Sequence, residues 1–325
     1  MRRLLVLLLL LALPAVAAPP APPAPSYAKR PEVKAFVRDM VQRHGFVERE
    51  LVYLFSRVKR EDPVLQFIRP PDRPPSWQDY RELFLTEKRI AAGVEFRAAH
   101  RSALDRAERE YGVGQEYVLA ILGIETFYGR NMGRYRVVDA LSTLAFDYPP
   151  RSSFFLRELE QYLLLARDEG IDVFSTRGSY AGAIGIPQFM PTSLRRYAVD
   201  FNGDGHIDLA RSSADAVGSV ANFLKEHGWQ AGEPVLLKAK PSPDAIAKYM
   251  DGSFEPRYRI DELAAAGLEV ESPPSPDMLG TLVALGAEYR VGLKNFYVIT
   301  RYNRSALYAG AVNDLGEALV ASGAR

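Results

Sequence analysis

Cysteine is absent from this 325-residue chain, and its absence excludes a whole group of chemistries. Disulfides, thiolate metal sites, a cysteine nucleophile and a lipid anchor on an N-terminal cysteine are all ruled out. An excess of charge of one sign is lacking too, since 41 Lys and Arg residues stand against 40 Asp and Glu residues. Nucleic-acid binding depends on a basic surface that neutralises phosphates, so no nucleic-acid partner is expected.

Apolar residues are concentrated near the start of the chain, in a pattern typical of an export signal. A basic pair at positions 2–3 precedes an apolar run at 4–13 and a small-residue cleavage pattern at 15–17. A membrane-spanning helix needs about 20 apolar residues, so a membrane anchor is the less favoured alternative. We therefore predict a signal peptide over residues 1–17, a Pro-rich spacer over 18–30 and a periplasmic mature protein.

Along the rest of the chain the sequence pattern changes from helical to strand-like and back to helical, which predicts a mainly α (α+β overall) protein. Helical periodicity dominates 31–110, the N-terminal helical region, and 111–230. Residues 231–295 carry short strand-like runs between Pro-rich breaks and are expected to form a small inserted α+β subdomain. Residues 305–320 return to helix, and residues 296–325 are expected to complete the core begun by 111–230.

Within these later regions the expected elements are short. Strand-like runs lie at 235–237, 268–270 and 296–299, and a short helix is predicted over 261–266 with Gly267 as its cap.

A single carboxylate interrupts an apolar helical face in the segment 116–130. Val118, Ile121, Leu122 and Glu125 are spaced i, i+3, i+4 and i+7, so they share one side of a helix that Gly129 is expected to end. Desolvation and the negative end of the helix dipole both raise the pKa of such a glutamate. A glutamate that is protonated near neutral pH is suited to general acid catalysis.

Two questions remain open at this point: whether Glu125 is catalytic or structural, and whether a second carboxylate acts with it. Glu125 could be a structural residue that pairs with Arg130 or Arg134. Glycoside cleavage also usually needs two carboxylates, and the candidates for a second one, Asp139 and Asp147, have no motif around them. A lone acid indicates that something other than a protein carboxylate attacks the sugar.

Several strings then occur in a fixed order along the chain. Glu125-Thr126, Gly185-Ile186-Pro187-Gln188 and Tyr302-Asn303 resemble the three short signatures of lysozyme-like lytic transglycosylases. The longer strings at 123–149, 178–193, 197–209, 215–229 and 296–309 are similar to the membrane-bound lytic transglycosylase B family. This resemblance covers nearly the whole mature chain and implies a lysozyme-like helical core.

The resemblance implies a mechanism that needs no second carboxylate and no cofactor. Glu125 matches the family's one catalytic residue, which protonates the oxygen between N-acetylmuramic acid and N-acetylglucosamine. The resulting carboxylate then takes the proton of the muramoyl C6 hydroxyl, which closes a 1,6-anhydro ring. Peptidoglycan glycan strands would be the substrate, and cell-wall synthesis or turnover machinery a possible partner.

The same resemblance assigns the remaining substrate-binding positions. Ser179 and Gln188 match residues that hydrogen-bond the substrate or the catalytic glutamate, and Tyr302 and Asn303 match a pair lining the same pocket. Arg151 matches an arginine of the family, although Pro150 replaces the arginine that precedes it. Tyr180 and Phe189 could stack on sugar faces or could simply pack in the core.

The segment 200–208 matches the start of an EF-hand-like calcium loop. Asp200, Asn202 and Asp204 supply oxygen ligands at positions 1, 3 and 5, and His206 would offer its main-chain carbonyl at position 7. Position 12 is Arg211, which cannot bind a cation. The resemblance implies a longer loop closed by Asp215. We expect a structural Ca²⁺ here, with a metal-free, Asx-rich turn as the alternative.

Other classes of function stay open on the sequence alone. They are an inactive peptidoglycan-binding or scaffolding protein, a hydrolytic muramidase of the goose-lysozyme kind, and a calcium-dependent sugar-binding protein. The chemical form of the product ends separates the enzymes from one another.

Overall fold

A computed structural model describes residues 26–323, and the predicted signal peptide and residues 18–25 of the spacer lie outside this range. The chain divides between Val58 and Lys59 into two compact units. In the first unit, a 3₁₀ turn (Tyr27–Lys29) precedes α1 (Pro31–His44) and α2 (Glu48–Arg57). α1 ends at Gly45, which adopts the left-handed conformation that glycine allows. The domain boundaries drawn from the sequence stay predictions.

The second unit holds most of the helices. They are α3 (Asp62–Phe67), α4 (Trp77–Phe84), α5 (Glu87–Ala99), α6 (Arg101–Tyr111), α7 (Gln115–Thr126), α8 (Val137–Asp147), α9 (Ser152–Asp168), α10 (Pro191–Tyr197), α11 (Ser213–Glu226), α12 (Pro243–Tyr249), α13 (Ile260–Ala265), α14 (Lys294–Tyr302) and α15 (Ala306–Ala321). None of the helices within residues 26–323 is long and apolar enough to cross a membrane.

Two small antiparallel sheets complete the second unit. The strands are β1 (Tyr135–Arg136), β2 (Arg177–Gly178), β3 (Leu236–Pro241), β4 (Tyr258–Arg259), β5 (Leu268–Val270), β6 (Leu279–Leu285) and β7 (Glu288–Gly292). β1 pairs with β2, and the other five form one sheet in the order β4-β6-β7-β3-β5. α12 and α13 cover this sheet around a core that includes Tyr249, Leu263 and Val291. A mainly helical protein with a small sheet subdomain is therefore confirmed.

The helical core is built around α7, α8 and α15, which are buried on nearly every side. A helix that is buried on nearly every side is largely apolar, and small and apolar residues make up most of α7 and α15. α15 packs along α7, so the two helices bring the segments around residues 125 and 308 together.

One strand prediction is wrong. Residues 296–299 lie inside α14, where Phe296, Val298 and Ile299 are all buried. β-branched residues favour strands only weakly, and tertiary packing overrides that preference when a helix can bury the same side chains. The predicted strand at 235–237 is observed as β3 and that at 268–270 as β5, and the helix over 261–266 as α13.

Candidate active site

Glu125 is the next-to-last residue of α7 and is partly exposed, while Val118, Ile121 and Leu122 on its face are fully buried. The helix ends at Thr126 rather than at Gly129. Phe127 makes the reversal with φ 53°, so the predicted stop is three residues late. Left-handed backbone is uncommon for an aromatic residue and often marks a site where the surroundings fix the chain.

Thr126 fixes this reversal with its side chain. Its hydroxyl donates to the carbonyl of Ile186 at 2.7 Å and accepts from the amide of Gly129 at 2.9 Å. The two short signatures at Glu125-Thr126 and at 185–188 are therefore joined by a direct hydrogen bond. Because the hydroxyl is buried, both of these bonds matter for stability.

A group of tyrosines surrounds the Glu125 carboxylate. The Tyr308 hydroxyl donates a hydrogen bond to Oε1 of Glu125 at 2.7 Å. The ring of Tyr302 stacks on that of Tyr308 with centroids 6.4 Å apart, and its hydroxyl donates to the carbonyl of Pro187. Burial raises the pKa of Tyr80 to about 12, and the nearby Glu125 carboxylate acts in the same direction.

This setting perturbs the titration of Glu125 strongly. Burial raises the pKa of Glu125 to about 7, and the hydrogen bond from Tyr308 opposes that rise because it favours the carboxylate. Within residues 26–323 no ion pair involves Glu125. Arg130 lies 3.7 Å from Glu95 instead, and Arg134 stacks over Tyr135. The observed geometry therefore does not support the structural ion pair left open by the sequence.

The two candidates for a second carboxylate are engaged elsewhere. Asp139 is buried and accepts from Nε of Arg136 at 2.6 Å and from the amide of Lys59 at 3.0 Å. Asp147 lies 3.7 Å from Nε of Arg60.

The loop 178–189 carries Ser179 and Gln188, and both side chains shape its backbone. Oγ of Ser179 accepts from the amide of Ala183 at 3.0 Å. Nε2 of Gln188 donates to the carbonyls of Met132 at 3.2 Å and Gly185 at 2.9 Å, while its own backbone is left-handed at φ 52°. Gly185 is required here, since a Cβ would lie 2.5 Å from the carbonyl oxygen of Leu209.

The other predicted binding residues lie at exposed positions. Tyr180 is 40% exposed and its ring lies 5.9 Å from that of Phe67, which is 55% exposed. Arg151 holds its guanidinium 4.4 Å from the ring of Phe154, and Asn303 is exposed at the end of α14. Within the described part of the chain, no hydrogen bond, ion pair or ring contact joins Arg151, Tyr180 or Asn303 to Glu125.

Phe189 packs in the core, which is the second of its two predicted roles. It is 2% exposed, and its ring lies 5.7 Å from those of Phe223 and Tyr302. It supports Tyr302 from behind rather than facing the solvent.

The sequence motifs did not identify Tyr308 as a residue of the site, although its position in α15 is informative. Tyr308 lies in the first turn of α15, capped by Ser305, and is the only tyrosine among the small and apolar residues of that helix. A buried hydroxyl needs a hydrogen-bond partner, so a tyrosine in such a helix points to a polar group on the facing helix.

The calcium-like loop is organised by its own side chains. Asp200 accepts from the amides of Gly203 and Gly205, each at 2.8 Å. Asp204 accepts from the amide of His206 at 2.9 Å and from Nδ2 of Asn202 at 2.8 Å. Oxygen donors suit a hard cation such as Ca²⁺, so the chemistry of this donor set fits the predicted metal.

The closing residue of this loop is turned inward. Asp215 is fully buried, and its oxygens accept from the amides of Phe201 at 2.9 Å, Asn202 at 3.2 Å and Asp208 at 2.9 Å. Among the residues that the structure describes, no three Asp, Glu or His side chains are gathered closely enough to hold a metal ion. Metal binding would therefore require the acidic side chains of this loop to converge.

Comparison with known proteins agrees with this geometry. Residues 28–317 match the family described as Transglycosylase SLT domain. Membrane-bound lytic murein transglycosylase B of Escherichia coli (strain K12) is 43% identical over 308 residues, which covers 90% of this chain and 84% of that protein.

Two solved structures are similar throughout. Soluble lytic transglycosylase SltB1 from Pseudomonas aeruginosa is 47% identical with a TM-score of 0.85, over 91% of this chain and 100% of that one. Escherichia coli Slt35 in complex with calcium is 42% identical with a TM-score of 0.83, over 92% of this chain and 96% of that one. The chain belongs to the lytic transglycosylases of the membrane-bound lytic murein transglycosylase B type.

Proposed function

We propose that Glu125 carries out both proton transfers of a non-hydrolytic cleavage of peptidoglycan. The protonated carboxyl gives its proton to the oxygen that links N-acetylmuramic acid to N-acetylglucosamine, and the C1–O bond breaks. The muramoyl C6 oxygen then bonds to C1, and its proton passes to the Glu125 carboxylate. Water is neither consumed nor released, and the enzyme returns to its starting state.

The observation that carries this proposal is the environment of Glu125. A residue that acts as acid and then as base works best when its pKa is close to the working pH. Burial raises the pKa of Glu125 to about 7, and the Tyr308 hydroxyl donates a hydrogen bond to Oε1 at 2.7 Å. Intramolecular attack also gains the effective molarity of a tethered nucleophile, so one carboxylate is sufficient.

We propose roles in sugar binding for the residues around this carboxylate. Tyr302 lies in direct contact with Tyr308, and Ser179 and Gln188 hold the loop 178–189 that is bonded to Thr126 through Ile186. Arg151, Asn303 and Tyr180 are exposed and free to meet a long glycan strand. The exposed rings of Tyr180 and Phe67 offer a stacking surface for a sugar face.

Substitution of Glu125 tests the catalytic role. Glu125→Gln keeps the shape and the hydrogen bond from Tyr308 but cannot transfer a proton, so release of soluble fragments from peptidoglycan should fall by at least about 10²-fold. Glu169→Gln, an exposed glutamate at the end of α9, is the matched control and should keep full activity. Activity that survives in Glu125→Gln would overturn the proposed role.

The product ends separate the proposed reaction from its alternatives. A hydrolytic muramidase leaves reducing muramic ends, whereas the proposed reaction leaves 1,6-anhydro ends. A binding or scaffolding protein would release no fragments, and a Glu125→Gln variant that kept the biological effect would support that alternative.

The substrate class is supported by a more distant relative. SltB3 from Pseudomonas aeruginosa, solved in complex with NAG-NAM-pentapeptide, is 29% identical with a TM-score of 0.80, over 90% of this chain and 80% of that one. We extend this to peptidoglycan strands that carry peptides as the substrate here. Export to the periplasm by residues 1–17 belongs to the same proposal, and N-terminal sequencing of the protein recovered from periplasm would test it.

We also propose that the 200–215 loop binds Ca²⁺ in a stabilising role. Asp200, Asn202, Asp204 and the carbonyl of His206 would hold the ion, with Asp215 closing the site. Binding to the folded state alone raises the melting temperature, by roughly 2–4 °C for each ~1 kcal/mol in a chain of this size class. Ca²⁺ should raise the melting temperature of the wild type but not of Asp204→Asn. Equal shifts in both proteins would place the ion elsewhere.

A further inference from the structure

A cavity of about 350 Å³ lies beside the small β1–β2 sheet, on the second unit. Four cationic side chains line it, namely Lys59, Arg134, Arg136 and Arg177. Two acidic side chains line it as well, Glu61 and Asp139, so the lining carries an excess of two positive charges. We refer to this cavity as the cation pocket.

The positive charges of the cation pocket are only partly neutralised. Asp139 is used by Arg136, whose Nε lies 2.6 Å from it. Lys59, Arg134 and Arg177 form no ion pair within residues 26–323, and Glu61 is the acidic side chain of the lining that interacts electrostatically with Lys59 and Arg177. Arg177 donates to the backbone carbonyl of Arg134 at 2.9 Å, which brings the two arginines together without compensating either charge.

The register of β1 and β2 places two of these cationic residues opposite each other. Arg136 lies directly opposite Arg177 in the antiparallel register of β1 and β2. Like charges in directly opposed positions destabilise a strand pair. An anion bound between them would remove that repulsion.

The cationic side chains set the chemistry of a ligand for this pocket. Four cations at one cavity attract an anion, and the planar arginine fork matches a carboxylate in particular. The hydroxyl of Tyr135 and one terminal nitrogen of Arg136 form no hydrogen bond within the part of the chain that the structure describes, but both atoms are shielded from solvent, so they do not face the open pocket.

The position of the pocket relates it to the glycan site. Arg177 precedes Ser179 by two residues, and Arg134 follows Met132, which accepts the hydrogen bond of Gln188, by two residues. Two extended residues span about 7 Å at most. The cation pocket is therefore adjacent to the loop proposed to hold the sugar.

We propose that the cation pocket binds a carboxylate of the peptide that the glycan strand carries. This inference rests on the function proposed above and adds to it a preference for substrates with peptides. The guanidinium groups of Arg134 and Arg177 and the ammonium group of Lys59 would attract the carboxylate.

The test compares the wild type with one double variant on two substrates of equal chain length, with and without peptides. Lys59→Gln/Arg134→Gln removes two cations whose side chains form no hydrogen bond or ion pair within residues 26–323. Exposed charge contacts contribute up to about 1 kcal/mol each, or about fivefold. We therefore expect kcat/KM on the peptide-bearing glycan to fall by roughly tenfold, within the limit of about 25-fold that two such contacts allow, with little change on the peptide-free glycan.

Two controls guard against loss of fold and loss of charge alone. Arg38→Gln/Arg109→Gln removes two exposed cations elsewhere and should leave both substrates unaffected. Arg134→Lys keeps the charge and should keep most of the preference. Melting temperatures of all variants should agree within a few degrees.

Each outcome decides the matter. Equal losses on both substrates, or no loss on either, would overturn the peptide site. Wild type that is inactive on both glycans would contradict the proposed function rather than the pocket. Binding of inorganic phosphate to the wild type but not to the double variant, without any peptide preference, would indicate a general anion site and would also overturn the proposal.

Discussion

Removing the Tyr308 hydroxyl should change the pH dependence of catalysis in a direction that the structure fixes. Tyr308→Phe deletes the 2.7 Å hydrogen bond to Oε1 of Glu125 and little else, since the ring stays in place. That bond lowers the pKa of Glu125 against the effect of burial. Without it the carboxylate is less stable and the pKa rises further.

The size of the shift follows from the strength of the bond. A hydrogen bond to a charged group contributes about 1.5–3 kcal/mol, and one pH unit corresponds to about 1.36 kcal/mol. Because Glu125 must be protonated to act as acid, kcat/KM should fall above pH ~7 in the wild type. In Tyr308→Phe that alkaline limb should move upward by about 1–2 pH units.

The assay is a pH profile of kcat/KM on a soluble glycan substrate, for the wild type and two variants. Tyr302→Phe is the matched control, because its hydroxyl donates to the carbonyl of Pro187 and not to Glu125. It should leave the alkaline limb where it is. The reasoning is refuted if the limb of Tyr308→Phe stays in place or moves to lower pH.

Three further variants test other parts of the account. Because burial raises the pKa of Glu125 from 4.5 to about 7, the stability that this residue contributes is full below pH 4.5 and is lost as the pH rises through 7. Glu125→Gln should therefore be more stable than the wild type at pH 8 by up to about 3 kcal/mol. Chemical denaturation should show that this gain vanishes near pH 4.5. Thr126→Val leaves the carbonyl of Ile186 and the amide of Gly129 without their buried partner, and denaturation should show a loss of about 2–3 kcal/mol that Thr126→Ser avoids. Asp215→Ala removes the acceptor of three backbone amide hydrogen bonds. The melting temperature should therefore fall even in the absence of calcium. An unchanged melting temperature would show that Asp215 does not stabilise the loop.

The helix around Glu125 could be predicted because its apolar spacing leaves one side buried. Its end could not, because glycine is the usual terminator while here Phe127 takes the left-handed conformation. The hydrogen bonds of Thr126 to Ile186 and Gly129 hold the chain in this reversal, and they are not visible in local sequence.

Contacts between distant segments explain the other differences. Tyr308 is 183 residues from Glu125 along the chain, so only the packing of α15 on α7 reveals the pair. The strand-like run at 296–299 forms a helix because burial of Phe296 and Ile299 outweighs the preference of β-branched residues. The short motifs predicted which residues belong to the site and their order along the chain. Only the fold shows which of these residues contact one another.

Digestion of purified peptidoglycan in water enriched in ¹⁸O tests the central claim most directly. If the C6 hydroxyl of the substrate is the nucleophile, the new ends are 1,6-anhydro, lighter by one water than hydrolysed ends, and contain no ¹⁸O. Mass spectrometry should show such products with the wild type and none with Glu125→Gln. Reducing muramic ends that carry one ¹⁸O would mean that water attacks the sugar, and would contradict the account.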